Sequence, residues 1–395
     1  MLQILKNQTL KSDETTFPVV VKTFAGLEEV LAEELRSLGI PEPEILKRAV
    51  GFTGNKAMLY KANYQCSTAV RVLKQIETFN FTENEEFYRK IKAIAWEDFL
   101  NADGTLAVDA FESDSIFNNS LFIARFTKDA IVDRFREKFN TRPNIDLTNP
   151  DLKVNIHINR NLCTVSLDSS GESLHKRGYR RANVEAPVNE VTAAGILRLT
   201  GWKADSDFLD PMCGSGTFVI EAAMLAMKIP SGYYRPSFGF LKWKDFDKEL
   251  FESIVDEANA NIIEHDYKIM GADIDKKNLR IAKENLQNAQ LHHDIELRLG
   301  AFETSEPPFP KGIIVCNPPY GERLLLEDAI NFYKNIGNTL KRSYAGYTAW
   351  IFAQENEGFK HIGLRPTRKI SLFNGKLECK LMKFDLYEGK KFSKE

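Results

Sequence analysis

The segment from Asp210 to Thr217 constrains the fold of this 395-residue chain more than any other. It reads Asp-Pro-Met-Cys-Gly-Ser-Gly-Thr and lies between an apolar approach, residues 207–209, and a helical pattern. Gly214 and Gly216 have no Cβ, so the backbone can turn sharply and come close to a bound molecule. The helix that follows directs its free N–H groups toward this turn. The segment therefore predicts a strand, a tight turn and a helix, with a ligand at the helix N-terminus.

The C-terminal half of the chain alternates short apolar patches with helical patterns. The patches expected to form buried strands are residues 207–209, 269–272, 295–299, 313–316 and 348–352. This alternation predicts a doubly wound parallel sheet. Further on, two strand-like segments flank Asn374-Gly375, a dipeptide typical of two-residue hairpin turns. We therefore expect an α/β domain whose parallel sheet ends in an antiparallel hairpin.

The N-terminal part predicts α+β accessory modules, because short strands and helices follow one another there without a cluster of catalytic residue types. We expect strands over residues 18–24, 45–53, 70–79 and 105–111, a hairpin over 152–167, and helices over 27–38, 56–65, 85–95 and 120–139. Small polar residues at 168–172 predict the boundary to the parallel-sheet domain. Within that domain, the long aromatic-rich connection over residues 230–243 is expected either to carry function above the carboxyl edge of the sheet or to cover that edge.

Asp273 stands at the end of the second expected strand of the parallel sheet, in Met-Gly-Ala-Asp-Ile-Asp. A carboxylate in that place can accept hydrogen bonds from both hydroxyls of a ribose. Asp275 is expected to cap the next helix. The turn at 214–216 has neither the GxGxxG spacing of dinucleotide enzymes nor the lysine of phosphate loops. The two segments together predict a site for a nucleoside cofactor.

Asn317-Pro-Pro-Tyr320 follows the apolar run at 313–315. An exocyclic amine on a purine is a poor nucleophile, because its lone pair is delocalised into the ring. The side-chain oxygen of Asn317 and the carbonyl oxygen of Pro318 can accept its two N–H groups, and Tyr320 can stack on the ring. Such alignment needs no covalent intermediate. The catalytic residues are therefore expected to be Asn317, Pro318 and Tyr320, acting on an amine beside a methyl donor.

Composition and spacing argue against several other classes of protein. The five cysteines and six histidines show no metal-ligand spacing, so we expect no metal site and reduced thiols in a cytoplasmic protein. Neither Cys213 nor Cys316 lies in the Pro-Cys motif of 5-methylpyrimidine chemistry. No apolar run approaches about 18 residues, and the first residues lack the features of a signal peptide, so we expect no membrane association.

Any contact with nucleic acid is expected to be regional, because the net charge is only −2. The segment His-Lys-Arg-Gly-Tyr-Arg-Arg at 175–181 is strongly basic, and the chain from Lys360 onward also has more basic than acidic residues. The residues expected to contact RNA are His175, Lys176, Arg177, Arg180, Arg181 and, beside the amine site, Arg323.

With these segments in hand, the chain resembles the THUMP-domain class I RNA methyltransferases. The resemblance covers nearly the whole chain and is most specific at residues 170–180, 186–190, 210–217 and 317–324. It implies a ferredoxin-like domain over residues 1–60 and a THUMP RNA-binding domain over 61–168. A Rossmann-like, S-adenosylmethionine-dependent methyltransferase domain would follow over 169–395.

The resemblance further implies S-adenosylmethionine as cofactor and guanine N2 of large-subunit ribosomal RNA, or of its assembly intermediate, as acceptor. Relatives commonly carry an acid directly after the third strand; residues 299–302 offer none, although Glu303 is near and Phe302 can pack on the adenine. The cofactor-binding residues expected here are Asp210, Pro211, Cys213, Gly214, Ser215, Gly216, Asp273, Ile274, Ala301, Phe302 and Asn317.

Four alternatives remain open from the sequence. Three keep the chemistry on another amine: guanine N2 in tRNA, adenine N6 in RNA or DNA, and a protein glutamine amide. The accessory modules count against DNA and protein substrates. The fourth is a non-catalytic RNA-binding assembly factor, against which the intact Asn317 and Asp273 argue. The sequence indicates no oligomeric state.

Overall fold

Two β-sheets, each with its own helices, organise the chain in the computed structural model, which describes residues 15–180, 187–319, 326–355, 357–375 and 377–387. The elements of the N-terminal half are β1 (Phe17–Lys22), α1 (Glu28–Ser37), β2 (Glu44–Leu46), β3 (Ala49–Gly54), α2 (Lys56–Gln65), β4 (Arg71–Asn80), α3 (Asn84–Ala93), β5 (Thr105–Ser113), α4 (Ser120–Phe139), β6 (Asn144–Ile145), β7 (Leu152–Asn159) and β8 (Leu162–Asp168).

The eight strands of the N-terminal half form one sheet in the order β2-β3-β1-β4-β8-β7-β5-β6. The sheet is continuous because β4 pairs with β1 on one side and with β8 on the other, antiparallel in both cases. The single strand predicted over residues 45–53 is wrong. The chain turns back between β2 and β3, where Arg48 has a left-handed φ of 56°, and the two strands pair antiparallel.

The C-terminal half contains α5 (Glu190–Thr200), β9 (Phe208–Asp210), α6 (Thr217–Ala226), α7 (Lys248–Ala260), β10 (Ile269–Asp273), α8 (Lys276–Asn288), β11 (Ile295–Leu299), β12 (Ile313–Cys316), α9 (Leu326–Ser343), β13 (Thr348–Ala353), α10 (Glu357–Lys360), β14 (Arg368–Asn374) and β15 (Leu377–Asp385). Its seven-stranded sheet has the order β11-β10-β9-β12-β13-β15-β14. Strands β11 to β13 in that order are parallel, whereas β15 runs antiparallel to both of its neighbours. The predicted parallel sheet with an antiparallel hairpin is confirmed.

Strand β9 lies at the point where the strand order reverses, between β10 and β12. Helices connect on opposite faces at such a switch point, which leaves a crevice outside the carboxyl ends of the strands. Asp210 ends β9, Asp273 ends β10 and Asn317 follows β12 directly. The topology therefore brings the three polar residues named from the sequence to one crevice.

The aromatic connection over residues 230–243 joins the two halves instead of crossing the carboxyl edge of the sheet. Phe240 stacks on Tyr60 of α2 with ring centroids 4.5 Å apart, and Phe238 packs beside it in the N-terminal core. Gly232 approaches so closely that an added Cβ would lie 2.8 Å from a ring carbon of Tyr64. The predicted positions above the sheet edge are therefore wrong: the aromatic rings gain more by burial against α2.

Candidate active site

A cavity of about 390 Å³ lies at the carboxyl ends of β9, β10 and β12. The residues that line it come from the turn after β9, from the start of α8, from the segment after β11 and from the segment after β12. They include Asp210, Pro211, Cys213, Gly214, Ser215, Asp273, Ile274, Ala301, Phe302 and Asn317, all of which were expected at the cofactor. The crevice predicted by the topology is thus a real cavity of ligand size.

The turn at 210–217 is held by backbone geometry that glycine adopts readily. Gly214 and Gly216 have left-handed φ values of 55° and 84°. Gly216 lies behind the cavity wall, where an added Cβ would be 3.2 Å from Leu286 of α8. Its role is therefore to let the turn pack closely against α8, while Gly214 and Ser215 face the cavity.

Asp273 fastens the turn to the neighbouring strand. One of its carboxylate oxygens accepts the Gly214 N–H at 2.9 Å, and the other accepts the Asp275 N–H at 2.8 Å and the Asn278 amide at 3.2 Å. Asp275 caps α8, as predicted, by accepting the Lys277 N–H at 2.8 Å. The carboxylate of Asp273 is therefore fixed in place before any ligand arrives, and it retains lone pairs for ribose hydroxyls.

Asp210 is buried beneath the same end of the cavity and accepts the Met212 N–H at 3.1 Å. Burial raises the pKa of its carboxyl well above the ordinary value, and the nearby charge of Asp273 raises it further. The two carboxyl groups make this end of the cavity rich in hydrogen-bonding oxygens. The ammonium and the ribose hydroxyls of S-adenosylmethionine supply donors for these oxygens.

The other end of the cavity is more apolar. Ile274 lies on the rim with 72% of its surface exposed, whereas Phe302 is buried and packs against Tyr344 with ring centroids 5.4 Å apart. Ala301 and Glu303 also line this end, so an acid is present although none stands directly after β11. This arrangement suits a flat, partly polar ring such as adenine.

Asn317 and Pro319 form the wall that faces the turn. The side-chain oxygen of Asn317 is buried and accepts no hydrogen bond within the part of the chain that the structure describes. Pro318 is buried and does not line the cavity. Tyr320, predicted to stack on the base, lies outside the described residues.

Neither cysteine beside the cavity is suited to act as a nucleophile. Cys213 and Cys316 are buried, and burial raises the pKa of both thiols well above the ordinary value, with the charge of Asp210 adding to the effect. A thiol kept protonated is a weak nucleophile.

The basic segment that precedes α5 is turned inward at two of its predicted RNA contacts. Arg177 is fully buried; it pairs with Glu221 and donates to the carbonyl oxygens of Leu174 and Ser67, so the prediction that it contacts RNA is wrong. Arg180 is also mostly buried, with its guanidinium directed at the glycine turn, and the same prediction is wrong for it. Both guanidinium groups satisfy buried acceptors of the protein instead.

Two other residues of that segment have accessible surface. Lys176 is exposed and pairs with Glu172 at 2.7 Å, and His175 is half-buried with its ring nitrogen 2.8 Å from the Ser173 hydroxyl. Burial lowers the pKa of His175, so it is less readily charged than a free histidine. Arg181 and Arg323, the remaining predicted RNA contacts, lie outside the described residues.

Sequence reasoning missed part of the cavity wall. Asn278 lies one turn into α8 and orients Asp273, a role that its position three residues after the helix cap could have indicated. The other lining residues that were not expected are Val188, Met212, Thr217, Phe218, Asp275, Gly300, Glu303, Pro319 and Phe332.

The described residues contain neither a membrane-spanning helix nor a cluster of metal ligands. No helix there has the length and apolar content that crossing a membrane requires. No group of three or more His, Cys, Asp or Glu side chains there could hold a metal ion.

Three family models match successive parts of the chain. The RlmL ferredoxin-like domain matches residues 19–73, the THUMP domain residues 81–168 and the RMKL-like methyltransferase domain residues 177–383. The match to the methyltransferase domain thus includes most of the basic segment at 175–181, the glycine turn and Asn317.

Similar proteins extend over almost the whole chain. A candidate RNA methyltransferase of Synechocystis sp. is 38% identical over 94% of this chain and 98% of its own length. The ribosomal RNA large subunit methyltransferase K/L of Syntrophotalea carbinolica is 40% identical over 94% of this chain, which spans 54% of that relative. A candidate methyltransferase solved with S-adenosylhomocysteine has a TM-score of 0.86 at 31% identity, covering 95% of this chain and 100% of that one.

Proposed function

The chain belongs to the RMKL-like methyltransferase family, and from that membership we propose that it methylates the exocyclic N2 of a guanine in large-subunit ribosomal RNA. S-adenosylmethionine is its cofactor. Bound in the cavity, the cofactor supplies an electrophilic methyl group on a sulfonium sulfur.

The observation that carries the proposal is the side-chain oxygen of Asn317 in the cavity wall, which has no hydrogen-bond partner among the described residues. A buried acceptor without a hydrogen bond costs about 1–3 kcal/mol, so its presence calls for a ligand that completes it. An exocyclic amine donates two N–H groups and fits that need. Asn317 accepts one of them; Pro318, whose carbonyl the sequence predicts as the second acceptor, is buried and does not line the cavity.

The residues of the cavity have separate roles in this reaction. Asp273 and Asp210 hold the polar parts of the cofactor, and Asn317 holds the amine so that its lone pair faces the methyl group. The amine would become cationic as its bond to the methyl carbon forms and the bond from that carbon to sulfur breaks, which would leave neutral S-adenosylhomocysteine, and the Asn317 oxygen would stabilise the charge on nitrogen. The proton leaves to water afterwards.

A ribosomal RNA substrate is supported by the THUMP match and by the name of the Syntrophotalea relative, of which this chain spans 54%. The five cysteines are free and buried, which suits the reducing cytoplasm in which such a substrate would be met. A guanine within structured RNA must be flipped out of its stack, at a cost of a few kcal/mol. The N-terminal sheet offers the additional surface that can offset this cost.

The test is methyl transfer from labelled S-adenosylmethionine to protein-free ribosomal RNA and tRNA from a strain that lacks the gene, followed by nucleoside mass spectrometry. We expect N2-methylguanosine in the large-subunit RNA alone. Label in tRNA, or as N6-methyladenosine, would overturn the proposed substrate while keeping the amine chemistry.

A further inference from the structure

A partly buried set of polar contacts, closed into a ring through helices α5 and α6, connects the N-terminal half of the molecule to the glycine turn. It starts at Ser67, in the connection between α2 and β4. In its first arm, the Ser67 carbonyl accepts a hydrogen bond from Arg177, whose guanidinium pairs with Glu221 at 3.4 Å. Glu221 lies one turn into α6, the helix that begins at Thr217 of the glycine turn. This arm therefore ends in α6, one turn from Thr217, which lines the cofactor cavity.

The second arm leaves the same residue by its side chain. The Ser67 hydroxyl accepts from Arg198 at 3.0 Å, and Arg198 also pairs with Glu34 of α1 at 2.7 Å. Helix α5 leads from Arg198 back to Glu190, a distance of about 12 Å at 1.5 Å per residue. Glu190 pairs with Arg180 at 2.7 Å.

The two arms meet at Arg180. Its guanidinium donates to the Ser215 hydroxyl at 3.0 Å and to the Thr217 hydroxyl at 2.7 Å, and both of these residues line the cofactor cavity. A guanidinium presents its N–H groups in a fixed plane, so Glu190 on one side sets the position of the turn on the other.

Because most of its charged groups are buried, the ring fixes the geometry of the contact between the two halves more than it adds to the free energy of folding. Arg177, Glu221, Glu190 and Glu34 are all less than 5% exposed. Buried ion pairs seldom stabilise a fold more than well-packed apolar residues would, because taking charges out of water costs several kcal/mol per ion. Such groups tolerate only a narrow range of geometries, since each lost partner leaves a buried charge. The ring thus restricts how the two halves of the molecule can sit relative to each other.

We propose that Arg180 is a positioning residue for the cofactor, and that the seating of the N-terminal half against α5 and α6 is transmitted to the glycine turn through this ring. The proposal rests on the proposed function for RNA as the molecule bound by the N-terminal half. RNA bound to the N-terminal half and S-adenosylmethionine bound at the turn then influence each other's affinity reciprocally.

The experiment measures the dissociation constant of S-adenosylhomocysteine by isothermal titration calorimetry in the full chain without RNA. We expect Arg180→Met to weaken binding about tenfold, as for the loss of one charge-assisted hydrogen bond, and Arg180→Lys to restore part of that loss. Arg198→Met, which leaves the cavity wall untouched, should weaken binding about threefold. The transfer rate at saturating S-adenosylmethionine should recover in each variant, so that KM changes more than kcat.

Arg134→Met is the matched control, because Arg134 forms a similarly half-buried pair with Glu97 that has no connection to the ring. The proposal would be overturned if Arg198→Met and Arg134→Met bound S-adenosylhomocysteine with equal affinity. It would also be overturned if folded Arg180→Met bound S-adenosylhomocysteine as tightly as the natural protein. If Arg180→Met does not fold, the double variant Arg180→Met with Glu190→Gln removes both buried charges and gives the same comparison.

These outcomes are separate from those of the proposed function. The calorimetric readout contains no RNA, so methylation of a different base would overturn the substrate while leaving the affinity changes in place. If N2-methylguanosine forms in ribosomal RNA but the substitutions do not change the affinity for S-adenosylhomocysteine, only the proposal about the ring is overturned.

Discussion

The two walls of the cavity differ in how far their polar groups are already satisfied. In the cofactor wall, formed by residues 210–217 and 273–278, the Asp273 carboxylate accepts three hydrogen bonds from its own chain. In the amine wall, formed by residues 317–319, the Asn317 oxygen accepts none among the described residues. Among the described residues, the polar groups of the cofactor wall are therefore already held by hydrogen bonds without a ligand, whereas the Asn317 oxygen of the amine wall is not.

This difference indicates that the cofactor wall mainly binds the cofactor, whereas the amine wall mainly aligns the substrate amine. Internal hydrogen bonds preorganise the cofactor wall, so it can hold its ligand without reorganising. The amine wall keeps an acceptor whose partner must arrive with the substrate, which is the kind of local cost that proteins retain at functional sites. Substitutions in the two walls should therefore separate cofactor affinity from transfer rate.

The largest expected effect comes from Asn317→Ala, which should lower the single-turnover transfer rate about 100-fold or more, as for the removal of one transition-state hydrogen bond. The affinity for S-adenosylhomocysteine should stay within about threefold, because the cofactor wall is intact. Cys316→Ser, a change at the neighbouring buried residue, is the control and should keep the transfer rate. An equal loss in both variants would remove the distinction between the walls.

Asp273→Asn should show the opposite pattern. It keeps the shape of the side chain but removes its charge and one acceptor, so the affinity for S-adenosylhomocysteine should fall about 10- to 30-fold, which is roughly 1.4–2 kcal/mol. The transfer rate at saturating cofactor should change little. Calorimetry and single-turnover kinetics measure the two quantities, and a large loss of rate at saturation would contradict the assignment of Asp273 to binding.

Asp210→Asn sharpens the comparison through pH. The pKa of Asp210 is raised in the folded protein, so the stability that its neutral form contributes is full below the ordinary value near 3.9 and is lost as the pH rises through the raised pKa. Asparagine has no ionisable carboxyl group, so the Asp210→Asn variant does not lose stability in this way as the pH rises. Without ligand, the variant should melt at a higher temperature than the natural protein at pH 8, with a difference that shrinks toward pH 4. Scanning calorimetry across this range checks the trend, and a difference independent of pH would contradict it.

The smallest expected effect lies outside both walls. Lys176→Gln should weaken RNA binding about threefold at low salt and reduce the slope of log affinity against log salt by about 0.9, the contribution of one phosphate contact. Cofactor affinity should not change. Lys228→Gln, at an exposed lysine elsewhere, is the control for filter binding across a salt series. An unaltered slope in Lys176→Gln would leave His175 as the one remaining residue among the described predicted RNA contacts.

The parallel sheet, the glycine turn, Asp273 and the Asp275 cap were predictable because their signals are local. Strand periodicity, left-handed glycines and helix caps all act within a few residues of chain. The same locality explains why the family resemblance could be recognised from four short segments. Asn317 was predictable as a site residue, although the lack of a partner for its oxygen required the structure.

The burial of Arg177 and Arg180 was not predictable in the same way. Their partners Glu221 and Ser215 are 44 and 35 residues away along the chain, and a run of basic residues looks the same whether it faces solvent or buried carboxylates. The position of the 230–243 connection was missed for a similar reason. Phe240 packs on Tyr60 of α2, 180 residues earlier, and no local pattern encodes that choice.

The most direct test of the division between the two walls is a crystal structure of the chain with S-adenosylhomocysteine and guanosine. The account predicts that the guanine N2 lies about 3 Å from the Asn317 oxygen, facing the cofactor sulfur, with the ribose of the cofactor on Asp273. A guanine bound elsewhere, with the Asn317 oxygen hydrogen-bonded to the protein itself, would contradict it.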